Sequence, residues 1–258
     1  MCLLAIAWKT HPRYRLIFAG NRDEFHARPA APANWWNDAA AVFAGRDLEA
    51  GGTWLGMRRD GRFAVVTNFR EPDRRPAGKR SRGELTAHFL AGDTSPENYL
   101  AQLRRTADDY AGFNLLFGDV NAPGNQLFYF SNREGEEVPL SPGVHLLSNH
   151  LLNTPWPKVR RLRERFVGET EAAEPRIDAL LEFLGDAIPA SDAELPATGL
   201  SLDWERRLSA AKVVGPEYGT RASTVILVDE RGKTDFHERR FTASGAIEQD
   251  TRVHFEDA

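Results

Sequence analysis

The sequence predicts an α+β fold in which antiparallel sheets pack against helices. Apolar runs of strand length are joined by short turn-forming segments, which is typical of hairpins and therefore of antiparallel pairing. These runs come in three groups, and two pairs of helix-like segments separate the groups. Two antiparallel sheets between two helical layers, a four-layer sandwich, accommodate this order; a two-layer α+β fold is the simpler alternative.

Length and composition bound the class of protein. The chain has 258 residues, 41% of them hydrophobic, which favours a single domain over 1–258 with a substantial core. The net charge is -4 and both signs are scattered, so no basic face for nucleic acid is expected. One cysteine excludes an intramolecular disulfide. No apolar run approaches the roughly 20 residues of a membrane span, and no signal-like segment is evident, so we expect a cytoplasmic protein.

The first predicted hairpin places the only cysteine beside a polar cluster. Cys2 precedes an apolar run, 3–8, and a second run, 14–19, follows a short polar break. The second run leads into Asn21-Arg22-Asp23-Glu24. A hairpin of this length returns the cluster to the side of Cys2.

The remaining elements follow from periodicity and turn signals. Further strands are predicted at 41–45, 53–57, 62–67, 113–118, 126–130, 144–147, 223–228 and 233–241. Helices are predicted at 84–90, 96–107, 158–167 and 177–185, the second of them with Ser95 as its N-cap. The Pro-rich segment 28–33 is expected to be extended, and 189–202 to be a loop. The basic segment 72–83 is expected to be an exposed loop, which either is solvated or meets an anionic substrate.

Cys2 has a chemistry that depends on its position. Methionine aminopeptidases remove Met before a small residue, so we expect Cys2 to carry both a thiol and a free α-amino group. That amine, with an ordinary pKa of roughly 7.7–8.0, is a suitable base for the thiol. A neighbouring cation such as Arg22 should increase the fraction of thiolate. The alternative is that Cys2 is an inert small hydrophobe.

Three predicted strands end in Asn or Asp within polar residues: Asn21 with Asp23, then Asn68, then Asn149. Such residues often form turns. Beside a thiol nucleophile, however, Asn amides are suitable donors to an oxyanion. A carboxylate such as Asp23 would hold the terminal amine.

Several motifs, spread over nearly the whole chain, carry a family resemblance. They are Met1-Cys2, Asn21-Arg22-Asp23-Glu24-Phe25 with Arg28-Pro29, Gly51-Gly52-Thr53-Trp54-Leu55-Gly56, Thr67-Asn68-Phe69-Arg70, Leu147-Ser148-Asn149 and Tyr218-Gly219-Thr220-Arg221. Together they resemble the NRDE family, the bacterial relatives of the transport-and-Golgi-organisation protein.

A more distant resemblance is to N-terminal-nucleophile (Ntn) hydrolases of the bile-salt hydrolase and penicillin acylase type. It implies an αββα fold with Cys2 as nucleophile, Asp23 as the acid that orients the amine, and Asn68 and Asn149 as oxyanion or substrate-holding amides. Asn21, Arg22 and Arg221 are assigned to substrate binding. That hydrolase group has an arginine where this chain has Ala19, and Arg22 or Arg221 is expected to replace it.

Two functions of different classes follow from the resemblance. The first is an amidohydrolase or acyltransferase that acts on a non-peptide C–N bond through a Cys2 acyl-thioester, without a cofactor. The alternative is a non-catalytic protein that binds and carries haem, a lipid or acyl-CoA. His26, His88, His145 and His150 are conceivable haem contacts, although a structural role is expected for each. No His/Cys spacing indicates a structural metal site.

Overall fold

A computed structural model describes residues 2–72, 79–122, 124, 126–133, 136–137 and 139–256. Most of the basic segment predicted to be a loop, 73–78, lies outside the described residues. The strands are β1 Cys2–Trp8, β2 Tyr14–Phe25, β3 Ala30–Trp35, β4 Val42–Asp47, β5 Leu55–Arg58, β6 Arg62–Asn68, β7 Phe113–Asp119, β8 Gln126–Ser131, β9 Glu136–Glu137, β10 Gly143–Leu147, β11 Tyr218–Asp229, β12 Thr234–Phe241 and β13 Ile247–Phe255. The α-helices are α1 Gly83–Ala91, α2 Pro96–Thr106, α3 Pro157–Thr170, α4 Ile177–Leu184 and α5 Leu202–Leu208.

The strands form two antiparallel sheets. The first sheet has the order β10-β1-β2-β11-β12-β13, so the N-terminal hairpin lies near its middle. The second sheet has the order β3-β4-β5-β6-β7-β8-β9 and is a meander, in which each strand pairs with the next one along the chain.

Alternating side chains of the two sheets build three apolar layers. One face of each sheet contributes to a core between the sheets, which includes Leu4, Ile6 and Phe18 of the first and Phe63 of the second. Helices α1 and α2 cover the outer face of the second sheet. Helices α3 and α4 cover the outer face of the first. The protein is therefore an αββα sandwich of four layers, which confirms the predicted fold class.

The structure adds elements that the pattern did not predict. The extended segment 28–33 becomes edge strand β3, and the predicted loop 189–202 holds a short 3-10 helix at Asp192–Glu194. Helix α5 and edge strand β13 were also missed. Strand β13 is largely exposed, so its sequence lacks the apolar run by which the other strands are recognised.

The Gly-Gly-Thr-Trp-Leu-Gly motif brings a loop into contact with the start of α1. A Cβ placed on Gly52 would lie 2.4 Å from the backbone carbon of Gly83, so only glycine fits there. The Thr53 N–H donates to the Gly83 carbonyl at 3.0 Å. Thr53 and Gly83 also line the cavity described below.

None of the helices formed by the described residues is long and apolar enough to cross a bilayer.

Candidate active site

A cavity of about 970 Å³ opens at one end of the sandwich, where both sheets and α5 contribute to its wall. Cys2, Arg22, Asp23, Asn68 and Arg221 of the predicted site line it. The structure therefore brings together five of the seven residues that the sequence singled out.

Cys2 lies at the rim of the core between the sheets. It is 7% exposed and pairs in register with Arg22 of β2, as the predicted hairpin requires. Burial raises the pKa of its thiol, and the Asp23 carboxylate raises it further. Arg22 acts in the opposite direction, but burial outweighs it. Arg22 thus favours the thiolate, as expected, but the net pKa of Cys2 is raised, and Cys2 requires a base that takes its proton.

Asp23 follows Arg22 on β2, so its buried carboxylate lies on the other face of that strand. It is 1% exposed, and one oxygen accepts a hydrogen bond from Thr220 Oγ1 at 2.7 Å. The Tyr218 hydroxyl donates to the Asp23 carbonyl at 3.0 Å. Burial raises the pKa of Asp23, while Lys158 and the Thr220 hydrogen bond act to lower it. The carboxylate is thus held in one position next to the strand that carries Cys2.

A bulge in β11 makes this arrangement possible. Ala222 pairs with Arg22 and Thr220 pairs with Asp23, so Arg221 is an extra residue between the two pairs. Because the extra residue reverses the alternation of side chains, Thr220 points to the face of Asp23 while Ala222 points to that of Arg22. The Arg221 guanidinium donates to the carbonyls of Phe25, His26 and Arg28.

Lys158 is a buried cation near Asp23 that the sequence analysis did not single out. It is the second residue of α3, is 1% exposed, and its ammonium has no hydrogen-bond partner among the described residues. Burial lowers its pKa to about 8, and attraction to Asp23 and Cys2 opposes this. The signal was present, because Lys158 shares the spacing of the buried Leu162 and Phe166 and must lie on their face.

The segment that follows β10 ties Cys2 to the end of β6. Ser148 Oγ donates to the Cys2 carbonyl at 3.1 Å. Thr67 Oγ1 donates to the Ser148 carbonyl at 3.1 Å, and Asn149 Nδ2 donates to the Asn68 carbonyl at 3.0 Å. These bonds use one N–H of the Asn149 amide and fix the backbone of Asn68, which lines the cavity.

Comparison with known proteins places the chain in a family. The family model for Transport and Golgi organisation 2 matches residues 1–243. The chain belongs to the Transport and Golgi organisation 2 family. It is 38% identical to the Transport and Golgi organization protein 2 homolog of Bos taurus, over 98% of each chain, and 35% identical to that of Homo sapiens, again over 98% of each.

The chain is also similar to solved structures that are much more distant in sequence. One is the N-acylethanolamine-hydrolyzing acid amidase ortholog of Caenorhabditis elegans, with a TM-score of 0.47 and 9% identity over 88% of this chain and 92% of that one. Another is a variant of the conjugated bile acid hydrolase of Clostridium perfringens, with a TM-score of 0.48 and 13% identity over 98% and 92%.

Two residues of the predicted site are not among the described residues that line the cavity, Asn21 and Asn149. Asn21 is fully buried on the face of β2 that packs against the helices. Its amide donates to the carbonyls of Leu184 and Ala211, both at 2.8 Å, and its oxygen accepts from Ser223 Oγ at 2.6 Å. Asn21 of the family's Asn-Arg-Asp-Glu motif therefore fastens the strand to the helical layer.

Arg22 and Arg221, the two arginines expected to replace the one missing at position 19, lie in different surroundings. Ala19 is fully buried in the core beneath α3 and α4, so an arginine does not fit there. Arg22 lies beside Cys2 at the cavity, whereas Arg221 is anchored to the loop after β2. Of the two, Arg22 is the one adjacent to the thiol.

The four histidines considered as haem contacts are not among the described residues that line the cavity: His26, His88, His145 and His150. His26 contacts the Gly215 carbonyl, and His145 contacts the Ser141 carbonyl. The described residues also contain no group of three His, Cys, Asp or Glu side chains placed to hold a metal ion.

Proposed function

We propose that the protein is an N-terminal-cysteine amidohydrolase that cleaves a non-peptide C–N amide bond through an acyl-thioester on Cys2. The observation that carries the proposal is the junction of a buried thiol, a fixed carboxylate and a large cavity. Cys2 opens onto the cavity, and Asp23, one residue beyond its register partner, is held by Thr220 and Tyr218.

The nucleophile follows from the protonation of Cys2. Because burial raises its pKa, the resting side chain is a thiol at neutral pH. Removal of Met1 supplies a terminal amine on the same residue, and this amine takes the thiol proton. Asp23 then stabilises the ammonium that forms. Sγ attacks the amide carbonyl, and the carbonyl electron pair moves onto oxygen.

The oxyanion needs a hydrogen-bond donor that is already in place. Asn68 Nδ2 takes this role, because its backbone is fixed by Asn149 and its side chain lies at the cavity. Collapse of the intermediate breaks the C–N bond, and the ammonium returns its proton to the departing amine. Water then attacks the thioester, which releases the carboxylic acid and restores the thiol.

The first test combines intact mass with turnover. The purified protein should begin at Cys2, hydrolyse a fluorogenic N-acyl amide and give an acylated species by mass. Cys2→Ala should lower turnover about 10⁴-fold or more, as expected when a nucleophile is lost. Retention of Met1 in the native protein, or equal turnover by Cys2→Ala, would contradict the proposal.

A second variant separates the amine from the thiol. Insertion of glutamine between Met1 and Cys2 blocks aminopeptidase and leaves the thiol on an internal residue. We expect this variant to be folded and reactive toward a small alkylating agent at high pH, yet unable to form the acyl-enzyme. Normal turnover would show that the amine is not the base.

The carrier hypothesis stays a prediction with its own test. The cavity also offers Trp54, Phe69 and Trp204, which suit an apolar ligand. Titration with haem should shift the Soret band if the protein is a carrier for haem. If the protein is a carrier, Cys2→Ala should bind haem with the affinity of the wild type. If it is an enzyme, Cys2→Ala should lose turnover.

A further inference from the structure

The cavity wall carries more positive than negative side chains. Nine basic and six acidic residues are among the described residues that line it. Charges of both signs are paired within the protein. Asp47 and Glu49 bind Arg28, and Glu71 binds Arg133. Three more lining arginines bind carboxylates outside the wall: Arg46, Arg70 and Arg80. The arginines of the wall that these pairs leave for a ligand are Arg22, Arg82, Arg221 and Arg240.

Arg22 is the most exceptional of these cations. Its side chain is 13% exposed, and the nearest carboxylate oxygen, on Glu24, is 4.0 Å away. No hydrogen bond joins its guanidinium to any of the residues that the structure describes. None of its nitrogen atoms is among the buried described atoms that lack a hydrogen-bond partner, so the guanidinium faces the open cavity, where a ligand can supply acceptors.

Register places Arg22 in a row with Cys2. Cys2 pairs with Arg22, Arg22 with Ala222, and Ala222 with Arg240, so these four side chains share the inner face of the first sheet. Adjacent strands are about 4.8 Å apart, which places Ala222 about 10 Å from Cys2. Because the Ala222 side chain is small, it leaves space between the side chains of Arg22 and Arg240.

Further arginines surround this space. Arg82, Arg221 and Arg240 line the cavity, and within the described part of the chain none has a carboxylate oxygen within 4.0 Å. Each is anchored by a carbonyl: Arg82 by Gly112 at 3.1 Å and Arg240 by Ala30 at 3.2 Å. These bonds use only part of each guanidinium, so donors are left for a ligand.

Two carboxyl groups near these arginines must be weighed. Glu24 lines the cavity with an oxygen 4.0 Å from the Arg22 guanidinium, so it offsets part of that charge. Glu238 lies two residues before Arg240 and accepts the Ala33 N–H at 2.8 Å. Burial raises its pKa, which reduces the negative charge that it presents. Glu238 therefore does not neutralise the arginines as an ionised surface carboxylate would.

Another part of the wall is apolar. Phe69, Leu200, Trp204, Leu208 and Tyr218 line the cavity, and Tyr218 packs edge-on against Trp204 with ring centroids 5.6 Å apart. One cavity thus combines an aromatic surface with a cationic one. This combination matches an amphipathic ligand that has an apolar chain and an anionic group.

We infer that Arg22 and Arg240, on either side of Ala222, bind an anionic group on the amine portion of the amide that Cys2 cleaves, while the acyl chain lies against the aromatic wall. The inference rests on the proposed function for the cleavage, but the binding does not require turnover. Carboxylate and phosphate share the chemistry that a guanidinium recognises.

The experiment measures binding to Cys2→Ala protein, so that it is independent of catalysis. Four ligands share a lauroyl chain: N-lauroylglycine, N-lauroyl phosphoethanolamine, neutral N-lauroylethanolamine and a cationic trimethylammonioethyl lauramide. By isothermal titration calorimetry, we expect the anionic ligands to bind about tenfold or more tightly than the neutral one. Preference for the glycine or for the phosphate conjugate identifies the anion, and either supports the inference.

Arginine variants assign the preference to this site. Arg22→Gln and Arg240→Gln should each remove most of the anionic preference and leave binding of the neutral ligand unchanged, whereas Arg240→Lys should retain part of it. Arg239→Gln is the matched control, because Arg239 is on the same strand, faces the other side and pairs with Asp250. Melting temperature verifies that each variant is folded.

Two results would overturn the inference: equal affinity for neutral and anionic ligands, or an anionic preference that survives in the Arg22→Gln, Arg240→Gln double variant. Neither result depends on turnover. Tight anionic binding by a protein that hydrolyses none of the ligands would instead refute the proposed amidase and leave the anion site in place.

Discussion

The two faces of strand β2 near Cys2 differ in how their polar groups are satisfied. On the face toward the helices, Asn21 and Asp23 bond to Ser223 and Thr220, in what we term the rear network, and of the two only Asp23 also reaches the cavity wall among the described residues. On the face toward the cavity, Arg22 has no such bonds within the described residues. The rear network therefore fixes the geometry of the strand, and the cavity face is left to interact with a ligand.

This difference separates two kinds of contribution. Polar groups in the rear network should matter for stability or for orientation of the terminal amine, because their partners are inside the protein. Cationic groups on the cavity face should matter for affinity, because their partners come from outside. Substitutions on the two faces of one strand can test the distinction directly.

The largest effect is expected for Asp23→Asn. Asparagine keeps the size of the side chain and an oxygen for Thr220, but it removes the charge that holds the ammonium. Turnover of an N-acyl amide should fall about 10²- to 10³-fold, with the circular dichroism spectrum unchanged. Asp250→Asn, on the edge strand of the same sheet, serves as the control. Global unfolding of Asp23→Asn would indicate a purely structural role.

Asn21→Ala should cost stability. The change leaves the Leu184 and Ala211 carbonyls and the Ser223 hydroxyl without their present partner in a buried region. We expect the free energy of unfolding to fall by about 2–4 kcal/mol, measured by urea denaturation. A loss below about 1 kcal/mol would show that these groups find other partners.

Lys158→Met should change how stability depends on pH. Burial lowers the pKa of Lys158 to about 8 from its ordinary value of 10.5, so the folded protein releases this proton at lower pH than the unfolded chain. Wild type should therefore gain stability relative to Lys158→Met as the pH rises from 8 to 10.5, by about 3 kcal/mol at most. Denaturation at several pH values measures this, and a constant difference would contradict it.

The smallest effect on stability is expected for Arg22→Gln. The Arg22 side chain forms no hydrogen bond to a described residue, and its nearest carboxylate is 4.0 Å away. Unfolding free energy should change by less than about 1 kcal/mol. Together with Asn21→Ala, this variant compares adjacent residues on opposite faces. A loss as large as that of Asn21→Ala would remove the distinction between the faces.

Much of the fold could be predicted from local pattern. The apolar runs and their turns located β1, the core of β2 and strands β4 to β8 of the meander, because alternating burial leaves a clear period. The polar residues 21–25 were expected to follow the strand, yet β2 continues to Phe25. The strand continues because β11 pairs with it as far as Tyr218, a contact between residues nearly 200 positions apart.

The sequence by itself determined the hairpin that returns Arg22 to Cys2, because a turn and two apolar runs are local features. It also identified the motifs that surround the cavity. Only the tertiary structure decided which face each residue serves. A one-residue bulge at Arg221 reverses the side chains before it, and burial, which no local pattern reports, raises the pKa of Cys2 and lowers that of Lys158.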